Sequence, residues 1–168
     1  MSLEEFILTN EKPIRMGFFF GVLLIMALWE IAAPRRSLTT SKTLRWTNNI
    51  GLVFFNSFLL RVLFPAAAVG VAFTAREHGY GFFNVYDVSP LLASIVSVVI
   101  MDFVIYVQHV MVHAIPVLWR LHRVHHADPD YDVTTGPRLH QLEIILSMLN
   151  KIATIFLLGP PVIAVILF

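Results

Sequence analysis

The sequence predicts an all-α membrane protein, a polytopic helix bundle with about four spanning segments and a histidine cluster on its cytoplasmic side. Three observations carry that prediction. Hydrophobic residues make up 57% of the 168 positions and charged residues 14%, where soluble domains hold an apolar share of about 45–50%; mean hydropathy is +0.75. Apolar runs of spanning length recur, separated by polar stretches that carry Pro or Gly. Five of the 7 histidines fall between His109 and His126. The net charge of +1 offers no basic stripe for a phosphate backbone, which excludes a nucleic-acid partner. With no cysteine, disulfides and thiolate metal sites are excluded as well.

Residues 1–15 form a mixed segment in which Phe6, Ile7 and Leu8 stand among Glu4, Glu5, Glu11 and Lys12, and a place at the membrane surface is expected. Met16 to Ala33 reads as the first span, too long for a signal-peptide core and ending in Pro34-Arg35-Arg36 instead of a small-residue cleavage site. Arg35, Arg36, Lys42 and Arg45 then mark a cytoplasmic loop. Asn49 to Thr74 is the second span, with Arg61 inside it and Pro65 placed to kink it. Ala75 to Ser89, with His78, Gly79 and Gly81, carries few basic residues and is expected on the outer face. Pro90 to Ala114 returns the chain to the cytoplasmic side. Residues 16–89 thus form an N-terminal hairpin with its outer loop, and residues 90–168 a second unit that holds the histidines.

Within that unit, His109 and His113 stand four apart and project from one helix face, so two imidazoles reach a common ion. His122, His125 and His126 share a second face by spacings of three and four. Pro116, between the groups, breaks the rod and lets the two faces turn toward each other. Imidazole suits iron, zinc, copper or nickel. Ala127 to Pro137, with Asp128-Pro129-Asp130 and Gly136-Pro137, reads as a loop over the site. From Arg138 the chain re-enters helix, and the apolar run from Ile144 to Phe168 is interrupted by Gly159-Pro160-Pro161, short of the roughly twenty residues that cross a bilayer. The run either kinks and exits or turns back as a hairpin.

The stretch from Asp102 onward resembles the fatty acid hydroxylase/sterol desaturase superfamily of integral-membrane di-iron enzymes. The matching residues are Asp102 and Tyr106, His109-x-x-x-His113, the run Leu118-Trp119-Arg120-Leu121-His122-Arg123-Val124-His125-His126, and Arg138-Leu139-His140-Gln141-Leu142-Glu143. The resemblance implies two non-haem iron ions held by His109, His113, His122, His125 and His126. It implies hydroxylation or desaturation of a fatty acyl chain, sterol or related lipid with dioxygen as co-substrate. Electrons would come from a b-type cytochrome, a ferredoxin or a reductase. It also implies a bacterial inner membrane or the endoplasmic reticulum as location. Val110 and Gln141 depart from the family's usual arginine and proline. The family's further C-terminal histidines have no counterpart before Phe168, so the domain is expected to be incomplete at that end.

The remaining polar residues carry narrower expectations. Asp102 and Arg61 sit at matching depth in their spans, and a buried ion pair between them is expected; whether it only locks two helices or serves the site stays open. Asp102 is about 10.5 Å along a helix from His109, too far to orient it directly, and Tyr106 between them is placed to relay a hydrogen bond or line a lipid cavity. His140 is a candidate sixth ligand, a partner of a ligand, or an interface residue. Glu143 is expected to orient Arg138 or a ligand histidine. Glu30 reads as a snorkelling side chain. Asp128, Asp130 and Asp132 read as an exposed loop able to receive a basic redox partner. Two rival functions stay open: a non-catalytic membrane metal-binding or scaffold protein holding one zinc or none, and a haem cytochrome using histidine pairs.

Overall fold

The computed structural model describes residues 3–35 and 37–168, with the backbone alone for Leu3 and Glu4. Met1, Ser2 and Arg36, part of the expected surface segment and basic loop, lie outside the described residues. The helices are α1 (Leu3–Thr9), α2 (Glu11–Ala32), α3 (Lys42–Leu63), α4 (Ala67–Glu77), α5 (Phe82–Val85), α6 (Pro90–Ala114), α7 (Pro116–His126), α8 (Gln141–Leu158) and α9 (Val162–Leu167), with no strand among the described residues. Four segments contain helices long and apolar enough to cross a membrane: α2, the α3 to α5 stretch, α6 and α8.

Both early spans begin sooner than their hydropathy suggests. α2 starts at Glu11 because Pro13 falls in the first turn, where its missing N–H costs nothing, and Glu11 pairs with Arg15 at 3.0 Å one turn on. α3 starts at Lys42, so its polar first turns belong to the helix. Pro65 then ends α3 at Leu63, and the chain resumes as α4 at Ala67, whose φ of 49° is unusual for a residue with a Cβ. Pro90 and Ala114 bound α6 where the sequence puts them, with the Ser89 side chain accepting from Leu92 N at the N-cap. Ile115 is extended, as the residue before a proline prefers, and Pro116 opens α7 at its first position.

α8 starts at Gln141, three residues after the expected re-entry, because the His140 side chain caps it by accepting from Leu142 N at 3.1 Å. Gly159 ends α8 in the left-handed region at φ 59° and ψ 50°. The chain then doubles back: α9 packs on α4, α6 and α1, and Lys151 Nζ lies 4.6 Å from the Phe168 ring. The hairpin alternative therefore holds, and it builds the core, where Val162, Val165 and Ile166 meet Ala72, Met101 and Ile155. Ile7 and Leu8 of α1 pack against the same cluster, so the N-terminal helix is part of the bundle as well as amphipathic. Across the spans, Gln108 of α6 hydrogen-bonds Ser147 and accepts from Asn150 at 2.7 Å, a polar tie between apolar helices.

The helix ends sort into two groups. Glu30 near the end of α2 accepts from Val133 N at 3.0 Å. Arg45 in the first turn of α3 meets Asp128 at 2.6 Å, and Glu143 in the first turn of α8 meets His122 of α7 at 2.6 Å. Those ends therefore share one face of the bundle with the end of α6. At the far end, the turn at Gly81 lies against Gly159.

Candidate metal centre

The proline break between α6 and α7 folds the two histidine faces onto each other. His109 and His113 on α6 have ring centroids 4.8 Å apart. His122 of α7 stands 4.9 Å from His109 and 4.8 Å from His113, while His126 lies 5.0 Å from both His113 and His122. His125 completes the group at 5.4 Å from His122 and 5.2 Å from His126. All five rings thus join one network centred on His122, the member that is 2% exposed. Trp119 closes one side, 5.3 Å from His113 and from His126.

One ligand atom from each of His109, His113 and His122 falls within 4.8 Å of the others. Nitrogens about 2.1 Å from a shared ion are at most about 4.2 Å apart, so small ring rotations close the trio. Two further details fit a metal. Glu143 Oε1 lies 2.6 Å from His122 Nδ1; with Nδ1–H donated to the carboxylate, Nε2 keeps its lone pair for an ion. His122 Nε2 is buried with no hydrogen-bond partner among the described residues, and a buried polar atom left so costs about 1–3 kcal/mol. Burial first, and then the neighbouring His122, hold His125 and His126 below the usual imidazole range. Neutral rings at pH 7 are the form that ligates.

The loop from Ala127 to His140 is pinned over this end of the bundle by its three aspartates. Asp128 takes Arg45 Nε at 2.6 Å and NH2 at 3.0 Å, together with Asn49 at 2.9 Å and Thr135 at 2.6 Å. The Arg45 guanidinium above all holds the Asp128 carboxyl far below the usual carboxylate range. Asp130 accepts from the backbone N–H groups of Thr39 and Thr40 at 2.9 Å, and Asp132 from Trp46 Nε1 at 2.8 Å. These carboxylates face α3 and the loop before it, not solvent.

Other expected residues fall elsewhere. Asp102 and Arg61 are both exposed and form no ion pair among the described residues. The depth argument failed because α3 begins at Lys42: Arg61 stands nineteen residues into α3, Asp102 twelve from the end of α6. Each also lies on the side of its helix turned away from that helix's buried residues. Tyr106 is 63% exposed and touches Phe103, ring centroids 6.4 Å apart, with no hydrogen bond to the cluster among the described residues. His140 spends Nδ1 on the α8 cap and makes no ring contact with the five among the described residues. Arg138 leans toward Asp128 at 3.9 Å, and Glu143 serves His122. His78 bonds Thr74 O at 2.9 Å far from the cluster.

Sequence reasoning gave Trp119, Arg45, Trp46 and Asn49 no part in the site and missed the Val133 contact of Glu30. Polar side chains three and four apart at the start of an apolar helix were the available signal for Arg45 and Asn49.

The fatty acid hydroxylase family model matches residues 94–168. No curated protein and no solved structure matches the chain at a significant level. The matched segment, a little under half of the chain, holds all five clustered histidines, Glu143 and the pinned loop, and it supports a place in the fatty acid hydroxylase/sterol desaturase superfamily.

Proposed function

We propose that this chain is a membrane-bound oxidoreductase that hydroxylates or desaturates a lipid with dioxygen, using two non-haem irons at the histidine cluster. The observation that carries the reading is the five-ring network with Glu143 behind His122. His109, His113 and His122 would hold one ion, and His125 with His126 would contribute to a second. Iron bound there supplies the one-electron chemistry needed to activate dioxygen against an unactivated C–H bond.

The chain's own residues do the rest. Glu143 fixes the His122 ring and its proton on Nδ1, which keeps Nε2 a lone-pair donor. The aspartate clamp holds the loop over the cluster, with the Tyr131 ring 5.9 Å from His125. His109, His113 and His126 remain exposed, so a lipid reaches the cluster from the side of α6 and α7. The basic residues Arg35, Lys42, Arg120 and Arg123 gather at this end of the bundle, which supports a cytoplasmic orientation by the positive-inside rule. Arg120 and Arg123 are exposed on α7 and fit an electron donor, such as a b-type cytochrome, a ferredoxin or a reductase, that presents acidic groups.

A second reading is favoured by the trio of His109, His113 and His122, which by itself suits one four-coordinate zinc in a non-catalytic protein. The two readings separate on turnover. Iron-loaded protein given membrane lipid, a chemical reductant and isotope-labelled dioxygen should yield a lipid carrying labelled oxygen or a new double bond. His125→Ala should yield neither. Absence of any product from the iron-loaded chain contradicts the proposal.

A further inference from the structure

A second cavity, with a volume of 770 Å³, opens between the end of α2, the turn before α3 and the aspartate loop. Its floor is apolar, with Met26 and Leu38, and its walls include Trp29, Glu30, Arg35, Lys42 and Tyr131. Those walls carry both signs of charge, and Lys42 and Arg45 already act on Glu30 through space. Arg35 and Lys42 make no ion pair among the described residues, and the Lys42 ammonium rests 5.2 Å from the Trp46 ring. Glu30 spends Oε1 on Val133 N, while its Oε2 is buried with no hydrogen-bond partner among the described residues. The lining aspartates are already engaged: Asp130 by Thr39 and Thr40, Asp132 by Trp46 and Arg45.

Resting on the lipid-oxidising function proposed above, we propose that this cavity holds the zwitterionic headgroup of the phospholipid whose chain the cluster oxidises. Two cationic side chains at the rim complement a phosphodiester. The Glu30 carboxylate, in walls shared with Trp29 and Tyr131, complements an ammonium. The apolar floor on α2, which has no buried residue of its own, complements the first carbons of the chains. Trp29 and Tyr131 are amphipathic aromatics of the kind that settle at headgroup level. Tyr131 also links the cavity to the centre, because the ring that walls one touches His125 of the other at 5.9 Å. A sterol, with neither phosphate nor ammonium, leaves these charges unanswered, and a free fatty acid, whose carboxylate can meet the cations, leaves Glu30 without an ammonium.

The test measures lipid binding to the detergent-solubilised 168-residue chain by native mass spectrometry, with iron content read on the same samples. Phosphatidylcholine should bind several-fold more tightly than phosphatidylglycerol, which has the phosphate without the ammonium. The double variant Arg35→Ala, Lys42→Ala should weaken phosphatidylcholine about tenfold or more and load iron like the wild type. Glu30→Gln should erase the preference between the two lipids; its amide keeps the shape of the carboxylate without the charge and decides the matter even where the double variant does not fold. Equal binding of the two lipids by the wild type overturns the proposal. So does unchanged binding by the double variant, or binding of free phosphocholine as tight as that of the whole lipid. Lost lipid preference with intact iron, or lost iron with intact lipid preference, tells failure of this proposal from failure of the metal reading.

Discussion

Glu143 is the residue on which the chemistry of the centre turns, because its carboxylate sets which nitrogen of His122 carries the proton. Glu143→Gln keeps the size but removes the charge behind the imidazole, and it should lower iron affinity about 10–100-fold, as loss of such supporting carboxylates does; metal titration against a competing chelator measures it. An unchanged affinity would mean that His122 holds its tautomer without help. Arg45 carries a different burden. It is 5% exposed against a fully buried Asp128 side chain, so Arg45→Met leaves an uncompensated carboxylate in the loop. The expected cost is about 3–5 kcal/mol of stability, read as a lower denaturation midpoint in detergent. The grouping of the five histidines was legible in the sequence because their spacing alone puts them on helix faces, whereas Glu143 was left with either Arg138 or a ligand histidine as its partner. The Arg61 and Asp102 pairing was not, because depth was counted from a helix start that hydropathy placed seven residues late, at Asn49 instead of Lys42.

At the level of elements, two breaks make the site possible, and both are written in proline and glycine. Pro116 separates α6 from α7 and turns one histidine face onto the other. Gly159 sends α9 back into the bundle. Its φ of 59° already disfavours any side chain, and a Cβ there would also lie 2.5 Å from Asn84 Nδ2 and from Tyr80 O. Gly159→Ala should therefore destabilise the chain by more than the roughly 0.4–1 kcal/mol scale of unstrained glycine exchanges, with α9 released to limited proteolysis before the rest. Equal protease resistance in the two proteins would show that α9 does not depend on this turn. The sequence marked the break at Gly159-Pro160-Pro161 but left its direction open. That direction is set by packing of Val162, Val165 and Ile166 on α4 and α6, a long-range term that no local pattern contains. The Gln108, Ser147 and Asn150 tie was equally hidden, since each partner alone looks like an isolated polar residue in an apolar helix.

For the whole molecule, four apolar segments among the described residues place a histidine cluster at one end of a membrane bundle, between an exposed side and a loop clamped by buried carboxylates. Hydropathy made the class of fold plain, because apolar runs of this length have few other solutions. The arrangement of the cluster needed the structure, since ring contacts depend on how α7 folds back along α6. The central claim is that these imidazoles hold redox-active iron, and metal analysis of the purified chain with an absorption spectrum tests it most directly. Two irons per chain with no Soret band is the expected result, with iron lost in His122→Ala. One zinc per chain after growth in iron-replete medium, or a Soret band, would contradict it.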